Sequence, residues 1–389
     1  MKKSRIVITC AKGISPFLRE EVVSLGLPLL AENPAGVVTE GTMFDAMRLN
    51  LSVRTGHRVL FLLKEFNAEN PDELYRKVAE MEWEKYIESD GYLCVTSRVE
   101  NRFIRDSRYA NVRCKDAIVD RISKMRGRRP DSGPGRDRTV VFLYWENEEC
   151  SVYFDTSGES LSRRGYRKIP LQAPMQETLA AAVVLASGWK GNGNCINPMC
   201  GSGTLAVEAA LLGLNRAPGL LRRNFGFMHL KGFNKSLWDD LRSQAIKNAA
   251  GALKGKIIAA DRSRQAIDTA RTNAAAAGVE DFIEFGICDF RETPVPAGGG
   301  VVILNPEYGE RMGTLRELEA VYKGIGDFFK TRCTGYTGYL FTGNMDLAKK
   351  VGLRAKRRVQ FFNGGIECRL LEYELYEGSR KRKNPEGER

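Results

Sequence analysis

Apolar and polar positions alternate over residues 6–9 and then recur at three-to-four spacing over 16–25, which predicts a strand followed by an amphipathic helix. Strands at 36–39 and 58–64 around a helix at 42–49 complete a small α+β unit, residues 1–66. From Pro71 the pattern starts again: helix 74–81, strand 92–98, helix 109–125, then strands 139–146 and 149–155, giving a second α+β unit over 67–156. In the 109–125 helix, Cys114, Ile118, Ile122 and Met125 fall at steps of four, four and three, one face for a core.

A polar joint, 157–172, leads into a long apolar helix, 177–186. Beyond it, strand-like runs at 194–197, 256–260, 282–288, 301–304 and 338–342 alternate with helical stretches, which predicts a doubly wound parallel α/β sheet over 173–377. Runs 357–362 and 366–376 flank Asn363-Gly364-Gly365, a hairpin signal, so the last strand is expected to be antiparallel. No internal repeat is visible, and the basic tail 378–389 reads as disordered.

At 389 residues the chain has room for several cores. No run approaches the ~18 apolar residues of a membrane span. The start shows no secretory hydrophobic region. Nine cysteines without a CxxC pair and only two histidines, His57 and His229, argue against a structural zinc and fit a reducing compartment, so the cytoplasm is the expected location and no metal is expected. The net charge of +12 makes nucleic acid the leading class of partner. Residues 98–138 hold 13 Lys and Arg against 6 Asp and Glu, more than half of that excess. A solvated helix face with a flexible Gly/Pro loop at 127–135 would look the same. Placement of the charge in an accessory unit favours a phosphate-binding surface, with Arg126, Arg128 and Arg129 as candidates and Arg164 and Arg167 in the joint as further ones.

Two segments carry the chemistry. Asn197-Pro198-Met199-Cys200-Gly201-Ser202-Gly203-Thr204 joins a strand to a helix, where glycines allow a ligand close to the backbone and the helix start offers free N–H groups. Such a turn alone is weak. Asp261 and Asp289 strengthen it by ending the next two strands, where carboxylates can accept from ribose hydroxyls and an adenine amine; taken singly, each would more often be a turn or helix cap. The other segment, Asn305-Pro306-Glu307-Tyr308, follows a buried strand. The Asn305 side-chain oxygen and the Pro306 carbonyl can accept both protons of a planar amine and turn its lone pair toward an incoming carbon, while Tyr308 offers an aromatic face. Cys200 lies inside the cofactor turn and is a poor candidate nucleophile.

These residues, with Leu161-Ser162-Arg163-Arg164-Gly165-Tyr166-Arg167, Ala217-Pro218-Gly219-Leu220 and the runs 173–181 and 305–311, make the chain similar to the THUMP-domain RNA methyltransferases of the bacterial 23S rRNA guanine-N2 type, whose relatives are often labelled adenine-specific DNA methylases. The resemblance extends over residues 3–376. It implies ferredoxin-like (1–66) and THUMP (67–156) domains before a Rossmann-like class I methyltransferase domain. It implies S-adenosyl-L-methionine held by Asn197 to Thr204, Met199 and Cys200 included, with Asp261 at the ribose, Asp289 at the adenine and Gln176 and Thr178 closing the pocket. It also implies that Asn305, Pro306 and Tyr308 meet the target amine, with Asn305 touching the cofactor as well, and that 23S rRNA is the partner. Two positions depart from the pattern: Asn197 stands where aspartate is usual, and Glu307 replaces a second proline. A transfer RNA guanine, a DNA adenine or a protein glutamine would suit the same Asn-Pro-x-Tyr arrangement, and a non-catalytic RNA-binding or assembly factor is the reading from another class.

Overall fold

The structure, a computed structural model, describes residues 2–169, 175–308 and 315–376. The expected disordered tail and residues 173–174 and 309–311 of the motif runs lie outside them. The chain forms two compact units. One comprises the chain up to Lys168, Met175–Ala182 and Leu214–Gly251; the other comprises Val183–Gly213 and the described residues from Ala252 onward.

The first unit is built on one eight-stranded sheet. Its strands are β1 (Ser4–Thr9), β2 (Ala31–Asn33), β3 (Gly36–Gly41), β4 (Arg58–Asn67), β5 (Tyr92–Glu100), β6 (Asp131–Ser132), β7 (Thr139–Glu146) and β8 (Glu149–Asp155), in the order β2-β3-β1-β4-β8-β7-β5-β6. The two α+β segments read from the sequence are therefore joined through the antiparallel β4–β8 ladder, whose register shifts between Leu62 and Lys64, the signature of a bulge. Asp155 ends that ladder fully buried, paired with Arg58 and accepting from the Ser157 and Gly158 N–H groups at 3.1 and 3.3 Å. Burial pushes its carboxyl above the usual range, against the opposing pull of Arg58.

Helix Ser107–Arg126 buries Cys114, Ile118 and Ile122 as expected, together with Ala110, Ala117 and Val119, but Met125 is 49% exposed. The last turn runs past the core, so the apolar periodicity outlasts the surface it would cover. The stretch 127–135 is not a free loop either: β6 pairs with β5, and the Gly135 N–H donates to the Tyr92 hydroxyl at 2.9 Å.

Leu214–Gly251 joins this unit although it is distant from it in sequence. Gly219 packs so close to Leu51 that a Cβ would lie 2.6 Å from its Cα, and a Cβ on Gly226 would lie 2.4 Å from the Asp155 carbonyl. The Phe227 N–H donates to the Thr156 carbonyl at 3.1 Å, and Arg222 donates to the Ser157, Glu159 and Ser160 carbonyls at 3.1, 2.9 and 2.7 Å. Phe225, Phe227 and Trp238, the last on helix Lys235–Lys247, form a small aromatic core with centroids 5.0–5.3 Å apart.

The second unit is the expected doubly wound sheet. Strands β9 (Asn194–Asn197), β10 (Ile257–Asp261), β11 (Ile283–Ile287), β12 (Gly300–Leu304), β13 (Tyr336–Thr342), β14 (Arg357–Asn363) and β15 (Ile366–Glu374) run in the order β11-β10-β9-β12-β13-β15-β14. The first five are mutually parallel, and β15 lies antiparallel to both β13 and β14. The near-continuous apolar runs of β10 and β12 are what strands covered on both faces require. Ile196, Ile258, Val302 and Leu304 pack with Tyr322, Phe328 and Phe329 of helix Leu315–Arg332. Among the described residues no helix is long and apolar enough to cross a membrane.

Because truncating Arg58 would strand the Asp155 carboxylate in a buried site, Arg58→Ala is expected to lower stability by roughly 3–5 kcal/mol in a denaturant titration. A loss below about 1 kcal/mol would show that the pair is not needed at the β4–β8 seam.

Candidate functional site

The strand order reverses at β9, which has β10 on one flank and β12 on the other, so a crevice must open at the carboxyl ends of these strands. Asn197, Gly201, Asp261 and Asn305 come from the ends of β9, β10 and β12 and the turns that follow them.

Asn197 is 1% exposed, and its Nδ2 donates to the Ile303 carbonyl at 2.9 Å. Since a carbonyl only accepts, this bond fixes the amide: Oδ1 faces the other way, buried and without a hydrogen-bond partner among the described residues. The turn behind it is stapled to β10. Cys200 N–H donates to the Ala260 carbonyl at 2.9 Å and Gly201 N–H to Asp261 Oδ2 at 3.0 Å, while Asp261 Oδ1 accepts from Ser263 N–H at 3.0 Å. The carboxylate is thereby held in place with lone pairs to spare.

The two glycines do different work. Gly201 has φ +52° and no atom within 4 Å of where a Cβ would stand, so the backbone there is open to a ligand. Gly203 has φ +79°, and a Cβ would meet the Ala270 Cβ at 2.8 Å; it lets the turn lie against helix Arg264–Ala276. Met199 is half-buried against the core of this unit. Burial, and then the Asp261 charge, push the Cys200 thiol well above its ordinary range, which makes it a poor nucleophile.

Asp289 is a cap in this structure: its Oδ1 accepts from Arg291 N–H at 3.0 Å and from Arg291 Nη1 at 3.2 Å. On the other side of the crevice, Asn305 is half-buried and its Oδ1 is also buried, without a partner among the described residues. Pro306 is buried and Glu307 exposed. The segment is fixed from behind. The Tyr322 hydroxyl donates to the Glu307 carbonyl at 3.4 Å and lies 2.7 Å from Thr342 Oγ1, and the Tyr308 hydroxyl accepts from Asn363 Nδ2 at 2.9 Å. Burial raises the Tyr308 phenol well above its usual range, so it is protonated.

Gln176 and Thr178 belong to the first unit, where Gln176 is exposed and Thr178 Oγ1 lies 3.0 Å from His57 Nε2. Burial holds that imidazole neutral, with its pKa lowered to about 4. Among the basic candidates, Arg126, Arg128 and Arg129 are exposed, with Arg129 about 3.5 Å from Asp116 and Asp120. Arg164 is not a surface cation: it is 2% exposed, and its Nη2 donates to the Arg54 carbonyl at 2.6 Å. Arg167 is similarly engaged, with the Met175 carbonyl at 2.6 Å and Glu177 at 3.6 Å. Neither is free to meet a phosphate in this arrangement.

A buried acceptor at Asn197, an open backbone at Gly201, an anchored carboxylate at Asp261 and a buried acceptor at Asn305 fit a nucleoside amino acid beside a planar amine. The family model of the RMKL-like methyltransferase domain matches residues 164–372. The chain belongs to this family. As in the resemblance read from the motifs, the RMKL-like domain is preceded by matches to the RlmL ferredoxin-like domain at 5–60 and the THUMP domain at 68–155.

Among the relatives of this family member, the ribosomal RNA large subunit methyltransferase K/L of Syntrophotalea carbinolica is 38% identical over 379 residues, 95% of this chain and 53% of that protein. The chain thus spans about half the length of the curated relatives of that name. A Synechocystis protein provisionally named an RNA methyltransferase is 33% identical over 95% of this chain and 96% of its own length. The solved structure of SMU.472, named as a methyltransferase and complexed with SAH, superimposes with a TM-score of 0.87 at 27% identity, covering 98% of this chain and 100% of the other.

The burial of Cys200 makes a checkable contrast with Cys288, the one cysteine that is partly exposed. Iodoacetamide at pH 8 followed by peptide mass spectrometry is expected to modify Cys288 and leave Cys200 unlabelled in the native protein. Equal labelling would contradict the packing of the glycine turn.

Proposed function

We propose that this protein transfers the methyl group of S-adenosylmethionine to an exocyclic amine of an RNA base, guanine N2 in 23S ribosomal RNA. The observation that carries the reading is Asn305 Oδ1, a buried acceptor without a partner among the described residues, set just past β12, beside β9 where the strand order reverses. A buried acceptor left unmet is costly, and an amine N–H would satisfy it.

The cofactor supplies an electrophilic methyl on a sulfonium. Asn197 Oδ1 would accept from its ammonium, the Gly201 backbone would give its amino-acid chain room, Asp261 would accept from its ribose, and Met199, Cys200 and Gly203 shape the turn. Asp289 would complete the pocket, reaching the adenine through the lone pairs that Arg291 leaves. Asn305 Oδ1 and the Pro306 carbonyl would accept hydrogen bonds from the two amine N–H groups, which turns the nitrogen lone pair out of conjugation and toward the methyl carbon. The N–C bond would form as the S–C bond breaks with its electron pair left on the sulfur of S-adenosylhomocysteine. The methylated nitrogen, acidified by its positive charge, would lose one proton to solvent. Both acceptors bind the growing positive charge more strongly, so the catalysis is orientation plus electrostatics and needs no strong base. Glu307 leaves this pair intact: its side chain is exposed, and Tyr322 holds its carbonyl.

In this reading residues 1–66 and 67–156 form ferredoxin-like and THUMP domains that present the RNA, 157–172 link them to the methyltransferase domain 173–377, and the protein works in the cytoplasm. The exposed Arg126, Arg128 and Arg129 at the end of helix Ser107–Arg126 meet phosphates.

Two outcomes are expected. Asn305→Ala lowers kcat for methyl transfer to unmodified 23S rRNA by about 10²–10³-fold, while S-adenosylmethionine affinity measured by calorimetry stays within a few fold. Retained turnover would overturn the assignment. Replacing Arg126, Arg128 and Arg129 together by Ala flattens the slope of log K against log salt for RNA binding by about one per residue. An unchanged slope would return that stretch to a solvated face.

A further inference from the structure

We propose that Asn363 is a positioning residue that fixes the Tyr308 ring beside Asn305 and Pro306, with Gly343 as the gap that lets the ring lie there. The inference rests on the reading of residues 305–308 as the amine-binding segment. Its own support comes from the carboxyl end of β13 and the β14–β15 hairpin.

Asn363 sits in an Asn-Gly-Gly turn, where asparagine is usually explained by backbone conformation. That explanation fails here. The left-handed residue of the turn is Gly364, at φ +61°, while Asn363 is the last residue of β14, paired with Ile366. Any side chain would satisfy that backbone. What this one does is reach across 55 residues of sequence and donate Nδ2 to the Tyr308 hydroxyl at 2.9 Å. Cys368 Sγ, fully buried on β15, stands 3.7 Å from the same oxygen.

Gly343 repeats the argument from the other side of the ring. It is not in the left-handed region, so its backbone does not require glycine. A Cβ there would stand 2.9 and 3.0 Å from two carbons of the Tyr308 ring and 2.8 Å from Ile366 Cγ2, closer than side chains approach one another. Glycine is needed at this point for space, and the space is filled by Tyr308. With Phe341 edge-on at 6.4 Å, the ring is held at its hydroxyl, at its edge and against the Gly343 backbone. A half-buried phenol tied by its oxygen cannot turn freely about its side-chain bonds. Tyr308 therefore presents one fixed aromatic surface to whatever base carries the amine, and the hairpin, which contributes nothing to the cofactor turn, sets that surface.

The test uses the full-length protein labelled with 3-fluorotyrosine, with the Tyr308 resonance assigned by its loss in Tyr308→Phe. In Asn363→Ala the Tyr308 resonance is expected to shift and broaden. In the same variant kcat for RNA methylation should fall about tenfold, the effect of one lost hydrogen bond, with S-adenosylmethionine affinity within about twofold of wild type. The double variant Tyr308→Phe/Asn363→Ala should be no slower than Tyr308→Phe alone, because Asn363 acts through the hydroxyl. If Asn363→Ala does not fold, Asn363→Asp serves: its carboxylate accepts from the phenol, keeping the tether with donor and acceptor exchanged. It should leave the resonance sharp.

An unmoved resonance in Asn363→Ala, or a double variant whose losses multiply, overturns the positioning role. Absence of methyl transfer by the wild-type protein would sink the amine reading instead, and the fluorine spectrum would still decide whether Asn363 holds Tyr308.

Discussion

Strand β9 is hydrogen-bonded to parallel partners on both flanks, and the second unit is organised around that fact. Parallel neighbours force each connection to cross a face of the sheet, and the connections on the two sides of β9 leave in opposite directions, so the carboxyl ends of β9, β10 and β12 cannot be covered by the chain that joins them. Groups that converge there, Asn197, Asp261 and Asn305, come from stretches of sequence roughly fifty residues apart. One side-chain bond extends the β9–β12 ladder past its last backbone pair: Asn197 Nδ2 donates to the Ile303 carbonyl, which aims the opposite amide oxygen.

That bond is one that an amide at 197 can make and a carboxylate cannot. A carboxylate at 197 would face the Ile303 carbonyl with like partial charge in a site 1% exposed, and burying a charge is expensive unless a counter-ion is present. In the proposed reading the amide would meet a cofactor ammonium by ion–dipole attraction, which is weaker than an ion pair but carries no charge-desolvation burden.

Much of this was legible in the sequence, and what was missed has identifiable causes. Strands Thr139–Glu146, Glu149–Asp155 and Asn194–Asn197 and helix Glu177–Ala186 have the bounds expected from their apolar patterns, because each pattern is dense and bounded by turn residues. Strands β2 and β6, of three and two residues, are too short to carry a period and exist only because a longer neighbour offers an edge. Arg164 was read as a surface cation because arginine usually is one. Its burial depends on the Arg54 carbonyl 110 residues away, which no local pattern contains. Met125 erred in the other direction, since periodicity states which face a residue occupies but not how far the opposing core extends. Asn363 was visible only as part of a turn signal, and that local explanation hid its long-range bond to Tyr308.

The path of Leu214–Gly251 has a consequence for how such a protein can be assembled or divided. The chain completes helix Thr204–Gly213 in the second unit, then contributes Gly219, Arg222, Gly226 and Phe227 to the packing of the first before returning at Ala252. Neither unit is a contiguous piece of sequence. A single break near the polar joint would sever Gly226 from the Asp155 carbonyl it lies against and Arg222 from the three carbonyls it gathers. The fragment kept in front would lose a wall of its core, and the fragment kept behind would carry Phe225, Phe227 and Trp238 into water. Dividing the chain at that joint is therefore constrained by topology: the first unit needs Leu214–Gly251, which lies beyond the joint.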